Sequence, residues 1–221
     1  MDELSHLADH LLIIKAVARY INGDDLENIN GQHIILASSS PRRRELLQQI
    51  GLEFEVNSFD IDESPYLHEA PADYVVRLAI EKARAAIAHL PADTIVIAAD
   101  TTVTIDGQIL GKPANQADAF AMWQRLSGRD HFVMTGVAVA KNQTVLHRRV
   151  TTEVHFAHLT QAEMLAYWQT GEPIGKAGGY AIQGKGAAFI PKIHGSYSNV
   201  VGLPIFETLD LLRDIQHAAE T

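Results

Sequence analysis

The sequence predicts an α/β fold built on a mixed β-sheet. From residue 33 onward, short β-type runs alternate with stretches of helical periodicity, the pattern of α/β proteins. The run 131–156 is typical of two paired antiparallel strands, so the sheet is expected to be mixed rather than purely parallel. The 221 residues, 47% of them hydrophobic, suffice for a sizeable core and predict one compact domain, with room for two lobes.

An N-terminal extension precedes this domain. Apolar residues recur every three or four positions through residues 4–21, which predicts a helix that ends before Gly23. Residues 24–32 are polar and contain glycine, which favours a linker. We therefore divide the chain into a helical extension and linker, residues 1–32, and a main domain, residues 33–217.

Local signals place the elements of the main domain. Ser40 and Pro41 favour a helix start, Asp106-Gly107 favours a hairpin turn, and Ser127-Gly128 favours a helix end. The first half is predicted to contain strand 34–37, helix 41–50, strand 53–57, helix 72–89, strand 94–99 and a hairpin at 103–110. The second half is predicted to contain helix 115–126, strands 131–140 and 143–156, helix 160–169, strand 187–194 and helix 204–216.

Charge and composition exclude several classes of protein. Eighteen Lys and Arg residues face 27 Asp and Glu residues, a net charge of −9, so no overall positive field attracts nucleic acid. The absence of cysteine excludes disulfides, a thiolate nucleophile and a Cys-based zinc site. The acidic N-terminus, whose apolar run 11–14 is interrupted by Lys15, predicts neither a signal peptide nor a membrane span. We therefore expect a soluble cytoplasmic protein.

A strand-to-helix turn carries an unusual number of cations. Residues 38–44 read SSSPRRR, which puts three arginines in the first turn of a predicted helix. Cations there oppose the helix macrodipole and its free N–H groups, unless an anion is bound. The hydroxyls, guanidinium groups and N–H groups therefore indicate a phosphate site. A solvated basic helix start is the alternative.

Lys82 lies on the apolar face of the predicted helix 72–89. It comes three residues after Ala79 and four before Ala86, so it occupies the stripe that should face the core. A buried lysine needs an anionic partner, which would bring this side chain to a charged site. The alternatives are snorkelling and a purely structural ion pair.

Two acidic positions indicate a divalent cation. Asp100 directly follows the apolar run 94–99, and ligands of α/β sheets collect beyond the carboxyl ends of strands. The acidic segment 60–63 could complete a Mg²⁺ or Mn²⁺ site with Asp100, and Lys112 could reach the same cleft. A turn-capping aspartate, a solvated acidic loop and an ordinary loop lysine are the alternatives. Taken together, these cations and carboxylates favour phosphoanhydride hydrolysis.

One apparent nucleotide motif is rejected. Residues 179–186 read GYAIQGKG, close to a Walker A loop, but Gly186 stands where that motif has a metal-binding hydroxyl. No strand-loop-helix frame surrounds the segment. We therefore do not predict a P-loop.

The chain resembles the Maf family over about residues 33–215. The resemblance rests on blocks in family order: SSSPRR at 38–43, RLA at 77–79 with EKA at 81–83, ADT at 99–101, GKP at 111–113, LSG at 126–128, His131, TGV at 135–137, EP at 172–173, KAG at 176–178, SY at 196–197 and VVGLP at 200–204. It implies a twisted mixed sheet with helices around a central cleft, similar to the inosine triphosphatases, and a homodimer. It also implies a nucleoside triphosphate pyrophosphatase that needs a divalent metal cation and cleaves between the α and β phosphates.

The resemblance also implies residue roles. Ser38, Arg42 and Arg43 fall on the phosphate-binding motif, and Lys82 and Lys112 on the two family lysines. Glu63 and Asp100 fall on the acidic positions that hold metal, with Asp100 as proton acceptor. Arg42, Thr101 and Gln183 are similar to the subgroup that acts on dTTP and UTP.

Two alternatives to this function are kept open. The chain could bind nucleotides as a regulator of cell division without turnover, because the family has been linked to inhibition of septum formation. It could also be a Maf pyrophosphatase of different base specificity, for 7-methyl-GTP or CTP. The residues before His33 depart from the family pattern: the predicted extra helix could cover the dimer surface, dock on the main domain or reflect an early start codon.

Overall fold

A computed structural model describes residues 29–218 of the chain. The predicted helix 4–21 and most of the predicted linker lie outside the described residues. Within them the strands are β1 (Ile34–Leu36), β2 (Glu55–Val56), β3 (Ile95–Ile105), β4 (Gln108–Leu110), β5 (Asp130–Lys141), β6 (Thr144–His155) and β7 (Lys192–His194). The helices are α1 (Pro41–Gln49), α2 (Pro71–Ile87), α3 (Gln116–Leu126), α4 (Gln161–Gln169), α5 (Tyr197–Val201) and α6 (Ile205–Ala218). None of these helices is long and apolar enough to cross a membrane.

The strands form one mixed sheet of seven strands. Their order is β2-β1-β3-β5-β6-β7, and β4 pairs with β3 outside this path. β1 is parallel to β2 and β3, whereas all other pairs are antiparallel. The predicted fold class is therefore confirmed, because helices flank the sheet and a cleft opens at its centre.

Strand β3 differs most from its prediction. The strand 94–99 and the first arm of the hairpin are one continuous strand, so the expectation that Asp100 follows a strand end is wrong. β1 ends at Leu36, paired with Ile97, whereas β5 accompanies β3 from Ile95 to Thr104. Asp100 consequently lies beyond the end of the neighbouring parallel strand. It therefore stands at the edge where ligands are expected, although its own strand continues.

Packing divides the molecule into two halves, which fits the predicted two lobes. The first half packs α1 and α6 on one sheet face and α2 on the other, around the start of β3. The second half packs α3 and α4 around the far end of β3, with Trp123 and Phe156 at its centre. Every residue of β3 is buried except Asp100 and Thr101. These two residues therefore lie where the halves separate.

The first half is tightly packed, both between α2 and the sheet and at its N-terminal end. Helix α2 lies so near the sheet that a Cβ on Gly136 would be 2.2 Å from the Val75 carbonyl oxygen, so this position has no room for a side chain. Ile29 is 2% exposed and belongs to the core, although it falls in the segment predicted as a linker. The packed body thus includes residues before His33.

The segment 185–201 also departs from its prediction. Residues 185–189 form a 3₁₀ turn instead of a strand, and only 192–194 pair with the sheet, as β7. Helix α5 was not predicted because it is one short turn. Its N-cap is Ser196, whose side chain accepts a hydrogen bond from the Asn199 N–H.

Candidate active site

The site residues predicted from the sequence line one cleft between the two halves. The cleft has a volume of about 830 Å³. The predicted residues along its wall are Ser38, Arg42, Arg43, Glu63, Lys82, Asp100, Thr101, Lys112 and Gln183. Residues that are up to 145 positions apart in sequence are thus brought to a single solvent-accessible space.

The turn from β1 into α1 buries a guanidinium group beside the cleft. Arg43 is only 9% exposed and donates from Nε to the Gly202 carbonyl at 2.8 Å. Its other nitrogens donate to Ser38 Oγ at 3.0 Å and to Thr101 Oγ1 at 3.1 Å. Arg42 donates from Nε to the Val201 carbonyl at 3.1 Å. A solvated basic helix start is therefore wrong for these two arginines.

The start of α1 has the electrostatics of an anion site. Burial lowers the pKa of both Arg42 and Arg43, and for Arg43 the charge of Asp100 opposes this effect. Ser40 occupies the N-cap position, but its side chain makes no cap hydrogen bond, contrary to the expected capping role. An anion in the cleft would stabilise both guanidinium charges and the first N–H groups of α1.

Lys82 joins two carboxylates that come from different elements. Its Nζ lies 2.7 Å from Asp100 Oδ1 on β3 and 2.7 Å from Glu63 Oε1 on the loop before α2. The side chains of Lys82 and Asp100 are each 13% exposed, so this ion pair is shielded from water. Snorkelling is therefore the wrong interpretation of Lys82, because its ammonium group points into the cleft and contacts acidic site residues.

The carboxylate of Glu63 lies in a positively charged environment. Partial burial raises its pKa, but Lys82, Lys112 and Arg43 outweigh that effect and lower it. The hydroxyl of Tyr74 donates to the Glu63 carbonyl at 3.0 Å, which fixes the backbone at this point. Sequence reasoning missed Tyr74, since nothing in the local pattern distinguishes it from a surface helix residue.

The acidic residues fit a divalent cation that takes additional ligands from elsewhere. Within residues 29–218, no group of three or more His, Cys, Asp or Glu side chains could hold a metal ion. Glu63 and Asp100 both contact Lys82, and Asp60 also lines the cleft. Mg²⁺ is commonly bound by one or two carboxylates together with substrate phosphates and water. The donor set therefore suits a metal that arrives with a polyphosphate.

A hydrogen-bond network connects the cleft to α5. Thr101 Oγ1 lies 2.9 Å from Thr135 Oγ1 and 3.3 Å from the Gly202 carbonyl. Asn199 is fully buried, and its Nδ2 donates to the Val133 carbonyl and to Thr152 Oγ1. The Gly202 and Val201 carbonyls that bind the arginines are thus held in place from the sheet. They were missed because a backbone acceptor leaves no signal in the sequence.

The far side of the cleft is formed by two loops. Lys112 follows β4, and the Gly111 carbonyl beside it accepts a hydrogen bond from the Gly178 N–H at 3.0 Å. Gln183 lies in the segment that resembled a Walker A loop, and it is exposed to the cleft. The N–H groups of Lys185 and Gly186 bind the Glu172 carboxylate, at 2.8 and 3.0 Å. The rejection of a P-loop is confirmed, because these amides already have an acceptor.

Comparison with known proteins gives a consistent result. The sequence matches the family model described as Maf-like protein over residues 33–215. A dTTP/UTP pyrophosphatase of Acinetobacter baylyi is 53% identical over 181 residues, which cover 82% of this chain and 98% of that protein. A dTTP/UTP pyrophosphatase of Methylobacillus flagellatus is 52% identical over 188 residues, covering 85% of this chain and 94% of that protein.

A solved structure shows a weaker likeness. It is a nucleoside-triphosphatase / dITP/XTP pyrophosphatase of Mycobacterium abscessus, 17% identical, with a TM-score of 0.37. The match covers 58% of this chain and 74% of that one. At this level of similarity the structure adds no support to any assignment.

Proposed function

The chain belongs to the Maf family, and from that premise we propose that it is a nucleoside triphosphate pyrophosphatase that hydrolyses dTTP and UTP. Its products are the nucleoside monophosphate and inorganic pyrophosphate. The observation that carries the proposal is the single cleft in which Arg42, Arg43 and Lys82 face Glu63 and Asp100. Such an arrangement would surround a polyphosphate with cations and provide a carboxylate for the bond to be cleaved.

Phosphate binding is assigned to the cations of the cleft. Arg43 is fixed by its hydrogen bonds to Gly202, Ser38 and Thr101, so it provides a charge that does not need to reorganise when substrate binds. Within the part of the chain that the structure describes, Arg42 is anchored through Nε alone, which leaves the outer end of its guanidinium group for a ligand. Ser38, Lys82 and Lys112 complete the phosphate-binding set.

Asp100 is assigned as the proton acceptor. One carboxylate oxygen, Oδ1, is bound to Lys82, which fixes the orientation of the group and, among the described residues, leaves Oδ2 without a hydrogen-bond partner. The attacking water forms the new bond to phosphorus and transfers its proton to Asp100, while the bond between the α and β phosphates breaks and diphosphate leaves. Lys82 and the arginines neutralise the charge that develops on the phosphates.

Glu63 and Asp100 would hold the divalent cation, Mg²⁺ or Mn²⁺. When bound, the ion neutralises phosphate charge and lowers the pKa of a coordinated water. Lys82, which contacts each of these carboxylates, would keep the two groups next to each other.

Base selectivity is assigned to Arg42, Thr101 and Gln183. The Thr101 hydroxyl already contacts Arg43, Thr135 and Gly202, so its part in selectivity is to fix the wall of the cleft. Gln183 has an exposed amide, which can donate to and accept from a pyrimidine edge. We further propose a cytoplasmic homodimer that does not bind nucleic acid.

A nucleotide panel tests the proposed function. The purified protein is incubated with dTTP, UTP, CTP, 7-methyl-GTP and purine triphosphates, each with Mg²⁺ or Mn²⁺, and pyrophosphate release is measured. We expect the highest kcat/KM for dTTP and UTP, and an Arg44→Ala variant to match the wild type because Arg44 is exposed and outside the cleft lining. Binding without release for every nucleotide would support a regulator without turnover instead.

A further inference from the structure

We propose that Glu172 is a positioning residue for base selectivity. Its carboxylate, together with the Tyr167 hydroxyl, fixes the loop 181–186 that presents Gln183 to the cleft. This inference rests on the proposed function, because it concerns how the cleft distinguishes nucleobases. Neither Glu172 nor Tyr167 lines the cleft, so both act through the loop.

Both ends of the loop are attached to the same hydrogen-bonded pair. The Tyr167 hydroxyl donates to Glu172 Oε1 at 2.7 Å and accepts a hydrogen bond from the Ala181 N–H at 3.2 Å. At the other end, the Lys185 N–H donates to Glu172 Oε2 at 2.8 Å and the Gly186 N–H donates to Oε1 at 3.0 Å. These hydrogen bonds bracket Gln183 on both sides.

The loop between these ends is short and is closed by a hydrogen bond within its own backbone. The Gly184 N–H donates to the Ala181 carbonyl at 3.2 Å, which closes a turn around Gln183. A Cβ on Gly184 would lie 2.3 Å from Glu172 Oε2, so the carboxylate packs directly against the loop backbone. Among the described residues, the Gln183 side chain has no hydrogen-bond partner, and its amide is left for a ligand.

The pair itself is rigidly supported by the second half of the molecule. Tyr167 is 4% exposed, and its ring packs on Trp123 and Phe189 with centroids 5.3 and 5.2 Å away. The indole N–H of Trp123 donates to the Gly179 carbonyl at 3.2 Å, just before the loop. The position of Gln183 is therefore set from the protein interior, independently of the arginines across the cleft.

A carboxylate is required for this arrangement. The two N–H groups and the tyrosine hydroxyl all donate, so the group that they surround must accept on both oxygens. In Glu172→Gln one oxygen becomes an NH₂ group, which faces a donor and repels it. The loop must then move, and we expect Gln183 to lose its geometry toward the base while the phosphate-binding residues keep theirs.

The test measures base discrimination without turnover. Dissociation constants are measured with Mg²⁺ for the α,β-methylene analogues of dTTP and CTP, which cannot be cleaved between the α and β phosphates. We compare Glu172→Gln, Tyr167→Phe, Gln183→Ala and the double variant E172Q/Q183A with the wild type. Glu163→Gln is the matched control, because it removes a carboxylate at the start of α4 whose hydrogen bonds within residues 29–218 go to Thr160 alone.

We expect E172Q and Q183A each to lower the preference for the dTTP analogue by about tenfold, the effect of one lost hydrogen bond. Y167F should lower it in the same direction, E163Q should leave it unchanged, and the double variant should resemble Q183A alone. Wild-type preference in both E172Q and Y167F, or a double variant with the product of the single effects, overturns the proposal. If E172Q does not fold, Y167F decides by the same criterion.

The experiment distinguishes failure of the proposed pyrophosphatase activity from failure of the proposed role of Glu172. Because the readout is binding, a wild-type protein that discriminates as expected but never releases pyrophosphate contradicts the proposed function and supports the role of Glu172. A wild-type protein that binds both analogues equally overturns the role of Glu172, whatever its turnover.

Discussion

The two sides of the cleft are built in different ways. On the phosphate side, Arg42, Arg43, Lys82 and Asp100 lie on regular helices and a central strand, where Lys82 and Asp100 form an ion pair and the charge of Asp100 acts on Arg43. On the base side, Gln183 lies on an irregular loop whose shape depends on one internal carboxylate and one buried tyrosine. On the proposed assignments, chemistry common to all nucleotides depends on the sheet and its helices, whereas the contribution of Gln183 to base selectivity depends on a loop outside them.

The largest effect is expected on the phosphate side, from Asp100→Asn. The amide cannot accept the proton, although it can keep the contact of Oδ1 with Lys82, so kcat should fall by about a thousandfold. The fall should be similar for dTTP, UTP and CTP, since the step does not involve the base. Undiminished pyrophosphate release would contradict the role of Asp100, and thermal unfolding at the wild-type temperature serves as the control for folding.

The neighbouring arginines should separate stability from activity. Arg43→Met removes three hydrogen bonds of a buried cation, and we expect a loss of about 3 kcal/mol in the free energy of unfolding as well as weaker nucleotide binding. Arg42→Met should weaken binding with a smaller loss of stability, because Arg42 makes a single hydrogen bond, from Nε, to the described residues. Arg44→Met is the exposed control on the same helix. Urea unfolding measures stability, and equal losses for all three variants would argue against the described anchoring.

The smallest effect concerns pH and the base side. His131 is fully buried, its Nε2 lies 2.7 Å from Tyr180 Oη, and burial lowers its pKa to about 4. In the unfolded chain the pKa of the His131 side chain is about 6.5, so the unfolded state binds a proton more readily than the folded state. The neutral, buried His131 therefore contributes fully to stability above pH 6.5, and this contribution is lost as the pH falls toward 4. We expect the free energy of unfolding to decrease by about 2 kcal/mol between pH 7 and pH 5.

Thermal or urea unfolding between pH 7 and pH 5 checks this expectation. The His131→Gln variant should show a flatter dependence of stability on pH than the wild type. His194→Gln, which alters an exposed histidine, should keep the wild-type slope. Equal slopes for all three proteins would show that His131 is not the titrating group.

The contrast between the two sides of the cleft also explains how much could be predicted from the sequence. Arg42, Arg43, Lys82 and Asp100 stand out because each contradicts the preference of its local element, and the structure brings them into one cleft. The elements of the first half were predicted to within a few residues. β3 was divided in the prediction because its polar center, Asp100-Thr101-Thr102, resembles a strand end, whereas pairing with β5 carries the strand through it.

The unpredicted features depend on contacts between distant parts of the chain. The Gly202 carbonyl that binds Arg43 is 159 residues away, and no local pattern marks a backbone acceptor. Glu172 carries no periodic or spacing signal for its contacts with Lys185 and Gly186, which arise only after the segment folds back. Residues 187–189 are apolar and were predicted as a strand. They form part of a 3₁₀ turn instead, because the N–H groups of Lys185 and Gly186 just before them are bound to Glu172.

The most direct test of the central claim is the identity of the products formed from dTTP. Phosphorus-31 NMR follows the reaction with Mg²⁺ from its first turnovers. Cleavage in the cleft between the α and β phosphates predicts dTMP and pyrophosphate in equal amounts, with both formed about a thousandfold more slowly by D100N. Early release of orthophosphate with dTDP, or products unchanged in amount by D100N, would contradict the account.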